Sequence, residues 1–219
     1  MEFTCAAVLF DADGTLIDSI PAVERAWRTW SAEYGFDADA VLAVCHGRPS
    51  AETISELVPG EGFRAALTRL DDLEVADTRG VRAYANSHAL LETLSDAGVP
   101  WAVVTSGNLA LVTARLKAAE LPTPQVLVTA DSVTNGKPDP EGYLLAARQL
   151  GVNPAECVVI EDAPAGVRAG RAAGARVIAV TTSHGADELG AADVIVPDLN
   201  SVSYVDGRVS VAQFGSATS

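Results

Sequence analysis

The sequence predicts an α/β fold, a Rossmann-like core built on a parallel sheet, with an inserted α-helical cap domain. Six short apolar runs recur along the chain, and each is followed by turn residues and a longer segment with helical periodicity. Near-continuous apolar strands that alternate with helices are typical of a parallel sheet covered on both faces. The predicted strands span residues 6–10, 101–104, 126–128, 158–160, 177–180 and 194–196.

Helix signals lie between these strands. Asn108 is a helix N-cap for a segment through about residue 119, a second helix opens at 139–141 and runs to 150, and Pro164 sits in the first turn of a third. Past residue 200, the pattern of 202–211 predicts a small hairpin with Asp206-Gly207 at its turn.

The segment between the first two strands predicts the cap. Residues from about 19 to 87 show helical periodicity and no convincing strand, with Trp27 and Trp30 on one apolar stripe. A crossover helix needs only about a dozen residues, and this segment is several times longer. We therefore expect a core of residues 1–18 and 88–219 and a helical cap of residues 19–87 over the carboxyl ends of the strands.

Composition restricts the partners and the compartment. The net charge of −14 and the pI near 4.5 disfavour nucleic acid and anionic membranes, whose binding relies on clustered Lys and Arg. Three widely spaced cysteines, Cys5, Cys45 and Cys157, indicate reduced thiols rather than a disulfide frame. With no signal-peptide pattern at the first residues and no apolar run of about 18 residues, we expect a cytoplasmic protein.

Two carboxylates leave the first predicted strand. Asp11 and Asp13 precede Gly14 and Thr15, at the sheet edge where ligands bind in open α/β folds. Two carboxylates about 4 Å apart repel by roughly 4 kcal/mol, so the pair needs a metal, a shared proton or divergent orientations. A hard cation with oxygen ligands is one solution; a plain turn with a capping residue is the other interpretation.

Two further segments suit an anionic substrate. Thr105, Ser106, Gly107 and Asn108 end the second strand with hydroxyls and amides that can hold phosphate oxygens, although Ser, Thr and Asn are also ordinary N-caps. Lys137, one of two lysines in the chain, lies between Gly and Pro and offers either an ordered point charge or an exposed turn residue.

The fourth predicted strand runs directly into Glu161 and Asp162. An acidic pair at the end of an apolar strand is costly unless a cation meets it there. Helix capping needs only one of the two acids, so metal binding is the favoured interpretation.

Together these segments resemble the four signature motifs of the haloacid dehalogenase-like hydrolases. The long insertion resembles the helical cap of the subgroup that contains β-phosphoglucomutase and many sugar phosphatases. Segments 46–49, 101–108, 136–143 and 160–167 are most similar to sugar-phosphate, 2-deoxyglucose-6-phosphate and glycerol-phosphate phosphatases.

The resemblance implies a role for each position. Asp11 would attack phosphorus and Asp13 would act as acid and base. Mg²⁺ would be held by Asp11, the main-chain carbonyl of Asp13 and Asp162, with Glu161 helping directly or through water. Thr105, the neighbouring amides and Lys137 would bind the transferring oxygens. Ser106, Gly107 and Asn108 would lie near the substrate. From the cap, three further residues would reach it: His46, Gly47 and Arg48.

Three alternative functions would require different residues. A dehalogenase would not need the second acid, Asp13. A β-phosphoglucomutase-type enzyme uses the same core residues, but Val23 stands where that enzyme carries a histidine. A non-catalytic binding protein would be favoured by loss of a carboxylate or of Lys137. We expect a phosphatase acting on a small phosphorylated metabolite, as a monomer or small homo-oligomer.

Overall fold

The computed structural model describes residues 1–45 and 50–212, and its centre is a six-stranded parallel sheet. The strand order is β6-β5-β2-β7-β8-β9. All six predicted strands are confirmed, with no end shifted by more than one residue. Their bounds are β2 Ala7–Phe10, β5 Trp101–Val104, β6 Val126–Val128, β7 Cys157–Glu161, β8 Arg176–Val180 and β9 Val194–Val196.

Helices cover both faces of this sheet. Along β2, Val8 and Phe10 enter one apolar cluster, and Ala7 and Leu9 enter the cluster on the opposite face. This alternation follows from the two-residue period of a strand, and burial on both faces explains why the strand is apolar throughout. The first face packs against α5 Ser87–Asp96 and α6 Leu109–Ala118, the second against α7 Glu141–Leu150 and α8 Pro164–Ala172.

Within the described residues, four α-helices lie between positions 20 and 76, after β2. A third apolar cluster lies wholly within them and centres on Trp27 and Trp30. Trp30 Nε1 donates to the carbonyl of Ala66 at 2.9 Å, and its ring stacks on Tyr34. The helices are α1 Ile20–Tyr34, α2 Ala38–Cys45, α3 Ser50–Leu57 and α4 Phe63–Ala76. Division of the chain at residues 19 and 87 stays a prediction.

The expectation that residues 19–87 hold no strand is wrong at one place. Strand β3 Ile17–Asp18 pairs antiparallel with β4 Arg82–Ala83, where the chain leaves the core and where it returns. A two-residue strand is too short to produce a period in the sequence. Because both crossings are tied together, the start and end of the helical segment lie side by side.

A small antiparallel sheet completes the fold. The hairpin is confirmed as β10 Val202–Val205 and β11 Arg208–Val211, and Asp206 and Gly207 at its turn both have positive φ, 48° and 82°. Strand β1 Glu2–Thr4, which the sequence did not reveal, pairs with β11. Short 3₁₀ helices occur at Gly60–Gly62, Ala130–Ser132, Pro154–Glu156 and Leu199–Ser201. Across residues 1–45 and 50–212, the helices are too short or too polar to cross a membrane.

Candidate active site

The polar residues collect at the carboxyl ends of the three central strands. Asp11 follows β2, Thr105 follows β5, and Glu161 and Asp162 lie at the end of β7. The amide of Asp11 donates to the carbonyl of Ile160 at 3.0 Å, so the ends of β2 and β7 are locked together. This edge beside the central strand is where ligands bind in open α/β sheets.

Lys137 reaches into this edge from the segment before α7. Its Nζ donates to Asp11 Oδ1 at 2.5 Å, to Glu161 Oε1 at 2.6 Å and to the carbonyl of Val104 at 2.9 Å. All three donors of the ammonium are therefore used, and the group also lies 5.3 Å from the centre of the Tyr143 ring. Lys137 is an ordered cation with only 11% of its side chain exposed, and it is not an exposed turn residue.

The carboxylate of Glu161 is satisfied by protein donors on both oxygens. Oε1 accepts from Lys137 and from the Tyr143 hydroxyl at 2.7 Å, and Oε2 accepts from the amides of Asp162 and Ala163 at 3.1 and 3.3 Å. Gly166 makes room for it, since a Cβ there would lie 1.7 Å from Oε1. Glu161 is thus placed to orient Lys137.

Asp162 is held by hydroxyls instead of by a cation. Thr15 Oγ1 donates to Oδ1 at 3.0 Å, and Ser183 donates to Oδ2. Gly14, with φ of 88°, closes the turn over this carboxylate, and a Cβ there would lie 2.0 Å from Oδ2. The sequence did not indicate that Ser183 contacts Asp162. It also did not indicate the contact of His184, whose Nδ1 lies 3.1 Å from the carbonyl oxygen of Asp162.

Asp11, Glu161 and Asp162 lie close together around one lysine, and the pKa values of Asp11 and Asp162 are raised. Burial raises the pKa of Asp11 well above its usual range; Lys137 opposes the shift, and Glu161 and Asp162 add to it. Burial, with the charge of Glu161, raises the pKa of Asp162 to about 7. Burial alone would lower the pKa of Lys137, but Asp11 and Glu161 raise it above its ordinary value.

The same carboxylates suit a metal ion. One oxygen each from Asp11, Glu161 and Asp162 lies within 4.8 Å of the others. All three side chains are buried, so a hard cation with oxygen ligands would meet charge that solvent does not screen. The excess of buried carboxylates over ammonium groups fits a divalent cation at this place.

Asp13 is partly exposed and lies outside this acidic group. Its Oδ2 forms an ion pair of 2.9 Å with Arg115 Nη1 of α6. Arg115 Nη2 also donates to Glu74 Oε1 of α4 at 3.2 Å. The two carboxylates that leave β2 therefore have divergent orientations and separate cations, one of the solutions that the sequence allowed.

The residues that follow β5 form the expected polar loop. Thr105 is buried, and its hydroxyl accepts from the amide of Gly107 at 3.1 Å. Asn108 uses its side-chain oxygen to cap α6, accepting from the amide of Leu111 at 2.9 Å, so the capping prediction is confirmed. Ser106 is exposed. The predicted cap residues His46, Gly47 and Arg48 lie outside the described residues.

Sequence reasoning missed Arg115 and Glu74, although each carried a signal. Arg115 occupies the buried stripe of α6 beside Leu111, and Glu74 follows Leu70 at helical spacing on the buried stripe of α4. A charged residue on an apolar stripe needs a partner, because burial of a lone charge is costly. Two such residues of opposite charge on different helices therefore indicate an ion pair between those helices.

Comparisons with known proteins agree with this geometry. The family model of haloacid dehalogenase-like hydrolases matches residues 5–174. Hexitol phosphatase A of Escherichia coli is 45% identical over 201 residues, covering 90% of this chain and 93% of the relative. The 2-deoxyglucose-6-phosphate phosphatase 1 of Saccharomyces cerevisiae is 33% identical over 238 residues, covering 93% and 92%.

A solved structure shows the same fold. A hydrolase from Pseudomonas syringae superposes with a TM-score of 0.78 at 27% identity, covering 89% of this chain and 94% of the other. The resemblance drawn from the four motifs is confirmed. This chain belongs to the haloacid dehalogenase-like hydrolases.

Proposed function

We propose that the protein is a Mg²⁺-dependent phosphatase that hydrolyses a small sugar or polyol phosphate through an aspartyl-phosphate on Asp11. The observation that carries this proposal is the 2.5 Å contact between Lys137 Nζ and Asp11 Oδ1 in a buried acidic site. Among substrates, a hexitol phosphate is the first candidate, because the chain is 45% identical to hexitol phosphatase A over an alignment that covers 90% of its length.

The protein's own residues divide the reaction into two steps. In the first, Asp11 forms a bond to phosphorus while the bond to the leaving oxygen breaks, and Asp13 gives that oxygen its proton. In the second, water attacks phosphorus, Asp13 takes the proton of the water, and Asp11 is released. Lys137 would supply positive charge beside the transferring oxygens, and the Thr105 hydroxyl with the amides of 106 and 108 would donate to them.

Mg²⁺ would be held by the carboxylates of Asp11 and Asp162 and the main-chain carbonyl of Asp13. When bound, it would supply positive charge against the transferring oxygens, as metals do in phosphoryl transfer. We assign Glu161 to orient Lys137, because four protein donors already occupy its oxygens. The helical segment 19–87 would cover the substrate and select among alcohols.

Phosphate release tests the proposal. We would assay sorbitol 6-phosphate, 2-deoxyglucose 6-phosphate, glycerol 1-phosphate and β-glucose 1-phosphate with Mg²⁺ and with EDTA, beside Asp11→Asn. We expect turnover that requires Mg²⁺ and falls to background in Asp11→Asn. Activity in EDTA, or an unimpaired Asp11→Asn enzyme, contradicts the mechanism. Conversion of β-glucose 1-phosphate to glucose 6-phosphate faster than phosphate release would show a mutase instead.

A further inference from the structure

A chain of three ionisable side chains, two of them buried, joins the loop after β2 to two helices. Arg115 of α6 has 5% of its side chain exposed, and Glu74 of α4 has 6%. Arg115 Nη1 lies 2.9 Å from Asp13 Oδ2, and Nη2 lies 3.2 Å from Glu74 Oε1. The order of the chain is therefore Asp13, Arg115, Glu74, and its last member belongs to the helical segment.

Stability does not account for this arrangement. Burial of charges costs a desolvation free energy that their mutual attraction only partly offsets, so apolar replacements are often as stable. Among the described residues, Arg115 Nε and Asp13 Oδ1 are buried without a hydrogen-bond partner, which adds to the cost. An apolar residue at 115 would instead extend the stripe of Leu111 and Leu116.

The guanidinium constrains direction as well as charge. It is planar, and its nitrogens hold fixed angles to one another, so a group fixed at one nitrogen orients the group at the next. Glu74 holds Nη2, and Nη1 then holds Oδ2 of Asp13. Within the described part of the chain, Oδ1 is left as the oxygen that protein donors do not engage.

We propose that Arg115 and Glu74 are positioning residues that orient the Asp13 carboxyl group for proton transfer to and from the substrate. The inference rests on the proposed function, since it needs Asp13 to be the acid and base. It also gives α4 a part in the chemistry. Because Glu74 belongs to α4, the contacts that link Asp13, Arg115 and Glu74 are complete only while α4 packs against α6.

Leaving groups of different basicity test this inference. Release of an alkoxide requires a proton, whereas 4-nitrophenolate leaves without one. We would measure single-turnover release of sorbitol from sorbitol 6-phosphate and of 4-nitrophenolate from 4-nitrophenyl phosphate, with Mg²⁺ and excess enzyme. The variants are Asp13→Asn, Arg115→Met, Arg115→Lys and Glu74→Gln. Arg69→Met is the matched control, because Arg69 also lies on α4 and pairs with Glu33 in solvent.

The expected results differ between the two substrates. Asp13→Asn slows sorbitol release by about 100- to 10,000-fold and leaves 4-nitrophenolate release much less changed. Arg115→Met follows the same pattern with a loss on the order of 100-fold, typical of a misplaced catalytic group. Arg115→Lys, which keeps the charge but not the fork, and Glu74→Gln show smaller losses in the same direction. Arg69→Met changes neither rate.

Failures of the two proposals are distinguishable. If Asp13→Asn slows both substrates equally, Asp13 is not the acid and the proposed function is wrong at that residue. If Asp13→Asn separates the substrates but the Arg115 variants slow both equally or neither, the positioning role is overturned. Should Arg115→Met fail to fold, Arg115→Lys and Glu74→Gln decide, because a purely structural role would not make their losses depend on the leaving group.

Discussion

Tyr143 and Glu161 form a buried hydrogen bond of 2.7 Å, in which the phenol donates to the carboxylate oxygen that also accepts from Lys137. Through this bond, Tyr143 of α7 and Lys137 share one oxygen of Glu161. Burial, with the charge of Glu161, raises the pKa of Tyr143 well above its usual range, so the phenol remains a donor. The contact therefore supports Lys137 through the carboxylate of Glu161.

Tyr143→Phe removes this donor and little else. We expect a loss of about 1.5–3 kcal/mol in the free energy of unfolding, the usual range for a hydrogen bond to a charged group. Turnover should also fall, because Glu161 holds Lys137 less firmly. Urea unfolding and a phosphatase assay measure the two effects. Tyr204→Phe on β10 is the control, and an equal effect of both variants would contradict the assigned role.

Gly166→Ala places a methyl group against Glu161. Since a Cβ would lie 1.7 Å from Oε1, the carboxylate must leave its four donors or α8 must shift. Alanine favours a helix by up to about 1 kcal/mol over glycine, yet we expect a net loss of about 1–3 kcal/mol from overpacking. Gly190→Ala, with ordinary contacts, should change stability by less than about 0.5 kcal/mol. A stabilised Gly166→Ala protein would refute the close contact.

Trp30→Ala tests the apolar cluster of the helical segment. The side chain is fully buried, stacks on Tyr34 and donates to the carbonyl of Ala66. We expect a loss of about 3–5 kcal/mol in the free energy of unfolding, typical of a large aromatic residue removed from a core. Val44→Ala, at a side chain 46% exposed, serves as the surface control. A loss near that of the control would contradict a packed cluster around Trp30.

Glu74 predicts a specific pH dependence of stability. Burial, with Asp13 and Asp71 nearby, raises its pKa to about 7 despite the attraction of Arg115. In the unfolded chain the carboxyl group of Glu74 loses its proton near the ordinary pKa of 4.5, whereas in the folded protein it stays protonated above that pH. The contribution of Glu74 to stability is therefore greatest below pH 4.5 and falls as pH rises towards 7, by roughly 3 kcal/mol.

Glu74→Gln isolates this contribution. The amide keeps an acceptor for Arg115 and cannot ionise, so the difference in unfolding free energy between wild type and Glu74→Gln should shift against the wild type from pH 4.5 to 7. Urea unfolding in EDTA across this range keeps the metal site comparable in both proteins. A difference that is constant with pH would show that Glu74 has an ordinary pKa in the fold.

Much of the core could be predicted because its patterns are local. Burial on both faces makes a strand such as β2 apolar throughout, and Asn108 caps α6 within four residues of chain. The pairing of β3 with β4 could not be predicted, since two residues show no period and the partners are 64 positions apart, as the contact of Arg82 with Asp18 shows.

By itself, the sequence determined which strands carry polar residues at their ends, and therefore where Asp11, Thr105 and Asp162 gather. The direction of a parallel strand and its alternation of faces are set by the chain, so these positions follow from it. Only the tertiary structure decided which cation each carboxylate meets. Lys137 binds Asp11 because of where the segment before α7 lies, and Arg115 binds Asp13 and Glu74 because α4 packs against α6; no local pattern records either arrangement.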